Sequence, residues 1–364
     1  MRILIATDQI GALTSAEAGQ AIAAGWQQAR PDTQFAVVSL GEAGEGFAQA
    51  IADQVAGEVE LSTAPEGLIT QVRTEEIAVV AVEPITGSPP PRGLDPTASS
   101  APIGRVLAEL LRAGPVHQVL VDLGGIHCHD AGAGLLGALG AVADRPLTQG
   151  YAGFTGITEL DLAPVRELLR DTELVAVVSS TEIDQHLLGL RGITSLRGRD
   201  VNTDPAQMLA ADTTLERLAA LAGPEASGLP GAGAAGGTAY AIAALGGRIV
   251  TGPQICAERV ELAETMNVAE LVVTGSSSFD FGSRGGGVVQ FVAEAAQTAM
   301  RPCIALAGTV VIGSREMRTM GVESAYPVHP ANAPQSMVDR PTGGDVTVAS
   351  LTEAAARIAR TWSW

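Results

Sequence analysis

The chain of 364 residues contains no lysine; all 22 of its basic residues are arginine. That absence excludes a Schiff-base lysine, a P-loop lysine and an ammonium clamp on phosphate. Any cationic contact must come from arginine, from a nest of backbone amides or from a metal. Positive charge of any kind is scarce, with 40 acidic residues against those 22 and a formal net charge of -18. So acidic a chain argues against nucleic acid or an anionic membrane as partner. It does not argue against a small anion held at a local positive site. Cysteine is scarce too. Cys128, Cys256 and Cys303 lie far apart without a CxxC pair, which fits a reducing cytoplasm rather than a disulfide framework. No apolar run reaches the length of a membrane span. The opening "MRILIATD" reads as a first strand, not a signal peptide.

What is present is a regular alternation. Residues 2–6, 34–40, 118–123, 174–178, 270–273 and 303–307 have strand character. Residues 14–30, 46–54, 132–142, 204–222, 285–299 and 352–361 have helical patterns, and the first opens with a capping box from Thr14 and Glu17. This rhythm predicts an α/β fold with a mostly parallel, Rossmann-like sheet covered by helices. Residues 59–84 break it with three β-type runs and no helix between them. Residues 87–102 are rich in Pro, Gly and Ser, and 145–199 are irregular. These pieces point to a second, inserted α/β domain. The expected division is 1–56, 103–145 and 250–364 in the Rossmann-like domain, with 57–102 and 146–249 in the insertion.

Four loops are placed to carry chemistry, because ligands of open α/β sheets gather at the carboxyl ends of strands. "IATDQIGALTS" holds Asp8. "LVDLGGIHCHDAGAGLLGALG" holds Gly124, Gly125 and Asp130. "LPGAGAAGGTAY" holds Gly231, Gly233 and Gly236 as a literal G-x-G-x-x-G. "LVVTGSSSFDFGSRGGGVV" holds Asp280, Ser283 and Arg284. No strand leads directly into Gly231, so the third loop is not a dinucleotide fingerprint. It is either an anion nest at a helix N-terminus or a close-packing site that needs small residues. Arg284 beside three glycines suits a phosphate, against the plainer reading of a solvated arginine. Asp8, Glu45, Asp130 and Asp280 can hold Mg²⁺ or orient an attacking hydroxyl; each can equally be a cap or turn residue. His127, Cys128 and His129 invite a metal reading. A run of H-C-H-D does not wrap one tetrahedral ion, and His117, His186 and His329 show no ligand spacing, so no metal ligands are assigned. Cys128 as a nucleophile lacks an identifiable orienting partner.

Taken in order, these loops resemble the type I glycerate kinase family. "ATDQIGALTSA" stands where that family has "APDSFKGSLSA", and "EAGEG" stands for "GGEG" with Glu45 in register. "LGGIHCHDAGAGLLGALG" is similar to "LGGSATNDGGAGMLQALG", and "LPGAGAAGG" is intact. "VVTGSSSFDFGSRGGGVV" stands for "VITGEGRIDGQSLHGKAP", and "CIALAG" for "VIALAG". The resemblance implies a two-domain α/β fold and phosphorylation of D-glycerate or a related small hydroxy acid by ATP with Mg²⁺. It implies Asp8, Asp130 and Asp280 as catalytic residues. It implies Glu45, Gly124, Gly125, Gly231 and Gly233 as contacts to substrate and phosphate, and His129, Gly236, Ser283 and Arg284 join them as candidates from the same loops. The implied partners are a small anionic metabolite and a nucleotide in the cytoplasm, with a homodimer as candidate assembly. Both family lysines are replaced, by Gly11 and Gly287. Cys128 and His129 stand for the family's "TN", and three serines after Gly275 stand where it has an acid and a base. Losing cations beside a triphosphate removes transition-state stabilisation. The alternative is therefore a catalytically impaired homologue that binds a metabolite or a protein.

Overall fold

The computed structural model describes residues 1–44, 46–65, 67–83, 93–282, 286–329 and 346–362. In chain order its strands are β1 (Arg2–Thr7), β2 (Gln34–Ser39), β3 (Val59–Ala64), β4 (Gly67–Arg73), β5 (Ile77–Glu83), β6 (Gln118–Asp122), β7 (Val142–Ala143) and β8 (Leu160–Asp161). They continue with β9 (Glu173–Val178), β10 (Arg248–Thr251), β11 (Leu271–Thr274), β12 (Ser278–Asp280), β13 (Cys303–Ala307), β14 (Thr309–Val311) and β15 (Ser324–Pro327). The chain divides into two units, Met1–Ala56 with Gly252–Trp364, and Gly57–Thr251.

The first unit is built on a five-stranded sheet in the order β15-β13-β11-β1-β2. All its pairings are parallel. In β1 every residue after Arg2 is buried, the near-continuous apolar run of a parallel strand covered on both faces. The helix Ser15–Ala29 starts at the expected capping box: Thr14 Oγ1 accepts the Glu17 amide at 3.2 Å and Glu17 Oε2 accepts the Thr14 amide at 3.0 Å. Its Ile22 and Trp26 share one apolar cluster with Ile3 and Ile5 of β1 and with Leu351 and Ala355 of the helix Val348–Ala359. From β1 the chain steps outward to β2 on one side, and from β11 through β13 to β15 on the other. The strand order thus reverses between β1 and β11, the point at which doubly wound sheets open a ligand crevice.

The second unit is built on a six-stranded sheet in the order β10-β9-β6-β5-β4-β3. β5, β6, β9 and β10 are parallel, and β4 runs antiparallel to both β3 and β5. The three helix-free β runs seen in the sequence are the β3–β4–β5 meander. The α/β class and the mostly parallel sheets are as expected. One segment lies elsewhere than expected. β6 is hydrogen-bonded between β5 and β9. Ile103, Leu107 and Leu110 of the helix Ala101–Arg112 pack into the same core as Val119, Val121 and Leu136. Residues 103–145 therefore belong to the inserted unit, which is one uninterrupted stretch. The alternation of strand and helix signals a crossover, but it does not say which sheet a strand joins. Among the described residues no helix is long and apolar enough to cross a membrane.

Candidate functional site

In the first unit the chain leaving β1 and the chain leaving β11 are tied together beyond the carboxyl ends of these strands. The Asp8 amide donates to the Gly275 carbonyl at 2.9 Å, and the Gly11 amide donates to Ser277 Oγ at 2.9 Å. Asp8 is half-buried, and its Oδ1 accepts the Gln9 amide at 2.8 Å. Asp280 closes β12, which is fixed by its parallel pairing to β14 and by buried Phe279. Asp280 Oδ2 accepts the Ser278 hydroxyl at 2.9 Å, and Oδ1 accepts the Gly282 amide at 2.8 Å. Both carboxylates are oriented by local donors and stay partly open to solvent.

Glu42 belongs to this corner as well, and sequence reading passed it over in favour of Glu45. Its Oε2 lies 3.8 Å from the position a Cβ on Gly287 would take, at the start of the helix Val288–Thr298. Burial pushes the Cys256 thiol up to about 12, and the charges of Asp8 and Glu42 add to that rise. The signal was available in "GEAGEG", where two glutamates share one short loop. Glu45, Ser283 and Arg284 lie outside the described residues. The corner's donors are carboxylate and hydroxyl oxygens, the set that a hard divalent cation takes. No group of three or more His, Cys, Asp or Glu among the described residues forms a ready-made metal cage. Mg²⁺ needs only one or two carboxylates beside phosphate oxygens and water, so the residues fit it.

In the second unit the loop after β6 turns its polar groups inward. The Gly124 amide is taken by Asp122 Oδ1 at 2.9 Å, whereas Gly125 is exposed. Asp130 is completely buried. Its Oδ2 accepts the Ser100 amide at 2.8 Å, the Ser100 hydroxyl at 3.0 Å and the Gly134 amide at 3.1 Å, and its Oδ1 accepts the Gly132 amide at 3.0 Å. Burial raises its carboxyl pKa, and these donors oppose the rise. Asp130, expected as a catalytic acid, is placed here as a fully buried anchor whose two oxygens accept the Gly132 and Gly134 amides at the start of the helix Ala133–Leu139.

The histidines and the cysteine of this loop are equally withdrawn. Cys128 Sγ lies 3.0 Å from Thr238 Oγ1 and 3.3 Å from the Ala235 carbonyl, and burial drives its thiol far up. A thiolate nucleophile does not form there. His129 is fully buried, with Nε2 3.1 Å from Thr194 Oγ1 and the ring edge-on to Tyr151. Burial, reinforced by the Arg197 charge, lowers its pKa to about 3. At neutral pH it is an uncharged ring sealed from solvent, which corrects the expectation of a phosphate contact. His127 is exposed, and desolvation and Arg197 lower its pKa against the pull of Glu182.

The glycine loop settles between its two readings. Residues 231–241 are all buried. The amides of Ala232, Gly233, Ala234 and Gly237 donate to the carbonyls of Leu229, Gln185, Gly231 and Gly233, and the Ala235 amide donates to Glu182 Oε2 at 3.2 Å. These donors are spent on the protein itself. Gly231, Gly233 and Gly236 are packing residues here, not a phosphate nest. Gly236, at φ +65°, shows why: a Cβ there would collide with the Cys128 carbonyl. Sequence reading missed Arg197, which reaches from the helix Ile193–Asp200 to donate Nη1 to that same carbonyl. The region looked irregular, and nothing in "SLRGRD" distinguished Arg197 from Arg199.

These features define an α/β protein with its open chemistry at a topological switch point and a second sheet closed over by small residues. The glycerate kinase family profile matches residues 3–363, and the chain belongs to that family. It is 32% identical over 345 residues to an uncharacterized protein of Mycobacterium bovis, covering 90% of this chain and 84% of that one. It is 27% identical over 383 residues to glycerate kinase of Halalkalibacterium halodurans, covering 100% and 98%. With glycerate 2-kinase of Escherichia coli it shares 25% over 348 residues, covering 90% of each. A crystal structure assigned to glycerate kinase 2 of Salmonella typhimurium superposes with a TM-score of 0.77 at 24% identity, over 99% of this chain and 98% of that one. It supports the fold.

Proposed function

We propose that this chain transfers the γ-phosphoryl group of ATP to a hydroxyl of D-glycerate or a closely related hydroxy acid. The observation that carries the reading is the family match from residue 3 to residue 363, among whose relatives are glycerate kinases. The switch-point corner supplies suitable chemistry. Asp8 and Asp280 are half-buried, oriented carboxylates. One of them takes the proton of the substrate hydroxyl as its oxygen bonds to phosphorus and ADP departs. Asp8, Asp280 or Glu42 would hold Mg²⁺ beside the nucleotide phosphates, where the ion would supply charge neutralisation. The Ser277 and Ser278 hydroxyls brace this corner, donating to the Gln9 carbonyl and to Asp280 Oδ2.

The test is direct. Purified protein with Mg-ATP and D-glycerate is expected to form ADP and phosphoglycerate in equal amounts, with phosphorus NMR reporting which hydroxyl is esterified. Absence of product, with D-glycerate still bound in calorimetry, would sink this reading. It would support a second one, a non-catalytic binding protein. That alternative is favoured by the absence of lysine, with Gly11 and Gly287 at the family's lysine positions.

A further inference from the structure

In the first unit, the loops that leave β1 and β11 are joined by a main-chain bond, from the Asp8 amide to the Gly275 carbonyl, and by the hydroxyl of Ser277. Ser277 Oγ accepts the Gly11 amide at 2.9 Å and donates to the Gln9 carbonyl at 3.4 Å. The serine itself is a fixed post. Its carbonyl accepts the Thr309 amide at 3.1 Å, and the Ser276 carbonyl accepts the Gly308 amide at 3.2 Å. Ser276 Oγ donates to the Ser278 carbonyl at 2.7 Å. The main chain around Ser277 is thus tied to the segment after β13 without help from the Ser277 side chain.

The loop that Ser277 holds turns tightly. Ile10 and Leu13 exchange hydrogen bonds in both directions, at 3.0 and 3.2 Å, which leaves Gly11 and Ala12 as the turn residues. Gly11 takes φ +63°, a left-handed value that glycine adopts without steric cost. Two departures from the family pattern therefore meet in one hydrogen bond. Gly11 stands at a family lysine position, and Ser277 belongs to the run of serines that stands where the family has an acid and a base.

Asp8 lies just before that turn. Its Oδ1 accepts the Gln9 amide at 2.8 Å, so the direction of the carboxylate follows the backbone at Gln9. The Gln9 carbonyl and the Gly11 amide are the groups that Ser277 holds. A carboxylate that must meet a hydroxyl or a cation to within about 0.5 Å depends on supporting contacts of this kind. The neighbouring Ser278 hydroxyl serves the other carboxylate, Asp280.

We infer that Ser277 is a positioning residue: its hydroxyl clips the loop of Asp8 to the loop after β11 and so sets the direction of the Asp8 carboxylate. The inference rests on the proposed phosphotransfer for what Asp8 does there, whether it takes a proton or holds a cation. The clip itself rests on the hydrogen bonds alone. Ser277 is half-buried, so water can replace its hydroxyl at the Gly11 amide and stability is largely kept in a variant.

The test is a crossed set of full-length variants: Ser277→Ala, Ser277→Thr, and Ser277→Ala combined with Asp8→Asn or with Asp280→Asn. Ser277→Ala is expected to lower kcat by about tenfold, with KM for D-glycerate within about twofold and the thermal midpoint near wild type. Ser277→Thr keeps a hydroxyl and should recover most of kcat. The loss should vanish in the Asp8→Asn background and persist in the Asp280→Asn background. Unchanged kcat in Ser277→Ala overturns the inference. An equal loss in both backgrounds also overturns it, since that marks general loosening of the corner. Amide exchange supplies a readout free of activity: the Gly11 amide should exchange about tenfold faster in Ser277→Ala than in wild type. If wild type forms no phosphoglycerate, the phosphotransfer reading fails and exchange alone decides the clip. Faster exchange over residues 9–13 keeps it, and equal exchange removes it.

Discussion

The corners at the carboxyl ends of the two sheets treat charge in opposite ways. In the first unit, Asp8 and Asp280 stay half-open, each held by a local amide. In the second, Asp130 surrenders both oxygens to Ser100, Gly132 and Gly134, and His129 is neutralised by burial. The glycine loop turns its amides on its own chain. Similar motif residues therefore carry different work. The first corner keeps its polar groups available for chemistry. The second spends them on its own backbone and packing.

The sharpest way to break that contrast is to neutralise each carboxylate in turn. Asp8→Asn and Asp280→Asn are expected to lower kcat by about a hundredfold or more, with the thermal midpoint close to wild type. Asp130→Asn is expected to act on stability instead, because an amide nitrogen would meet backbone donors with no acceptor to offer. Steady-state kinetics and thermal melts on the three variants decide the matter. A hundredfold loss of kcat in Asp130→Asn at unchanged stability would restore Asp130 to the reaction.

A smaller effect separates the glycines. Gly236 at φ +65° has no room for a Cβ against the Cys128 carbonyl, whereas Gly125 at φ +73° has nothing within 4 Å. Gly125→Ala should lose about 1 kcal/mol from backbone conformation alone. Gly236→Ala should lose about 3 kcal/mol, since the strained conformation and the collision add. Urea midpoints measure both. Equal costs would mean that the glycine loop is looser than its buried contacts indicate.

Much of the fold was legible in the sequence. The capping box at Thr14 and Glu17 and the helix-free run that became β3–β5 follow from local chemistry. The allocation of β6 does not, because hydrogen-bond partners across a sheet leave no mark on local periodicity. The site was legible in part. Asp8 and Asp280 could be placed after strands by pattern. Arg197 could not, because its contact is with the carbonyl of Cys128, 69 residues away in the chain. Asp130 and His129 misled for a related reason: sequence shows a titratable group but not its burial.

Burial of His129 also gives the second unit a pH signature. The fold holds its ring neutral, with a pKa of about 3 against an ordinary 6.5. A depressed folded-state value means the contribution is complete above pH 6.5 and is lost as pH falls toward 3. The loss runs at up to about 1.4 kcal/mol per pH unit once below the ordinary value. Asp130 has the opposite sign. Its raised value makes its contribution fullest below the ordinary carboxylate range, and that contribution fades as pH rises through the raised value. Going from about pH 6.5 to 5.5 therefore samples His129 before most carboxylates begin to titrate. Urea unfolding of wild type should lose about 1 kcal/mol across that interval. His129→Asn should lose markedly less, since it removes the group that resists protonation. Equal pH slopes in the two proteins would show that His129 gains a proton without unfolding its surroundings, and the second corner would then be open to water.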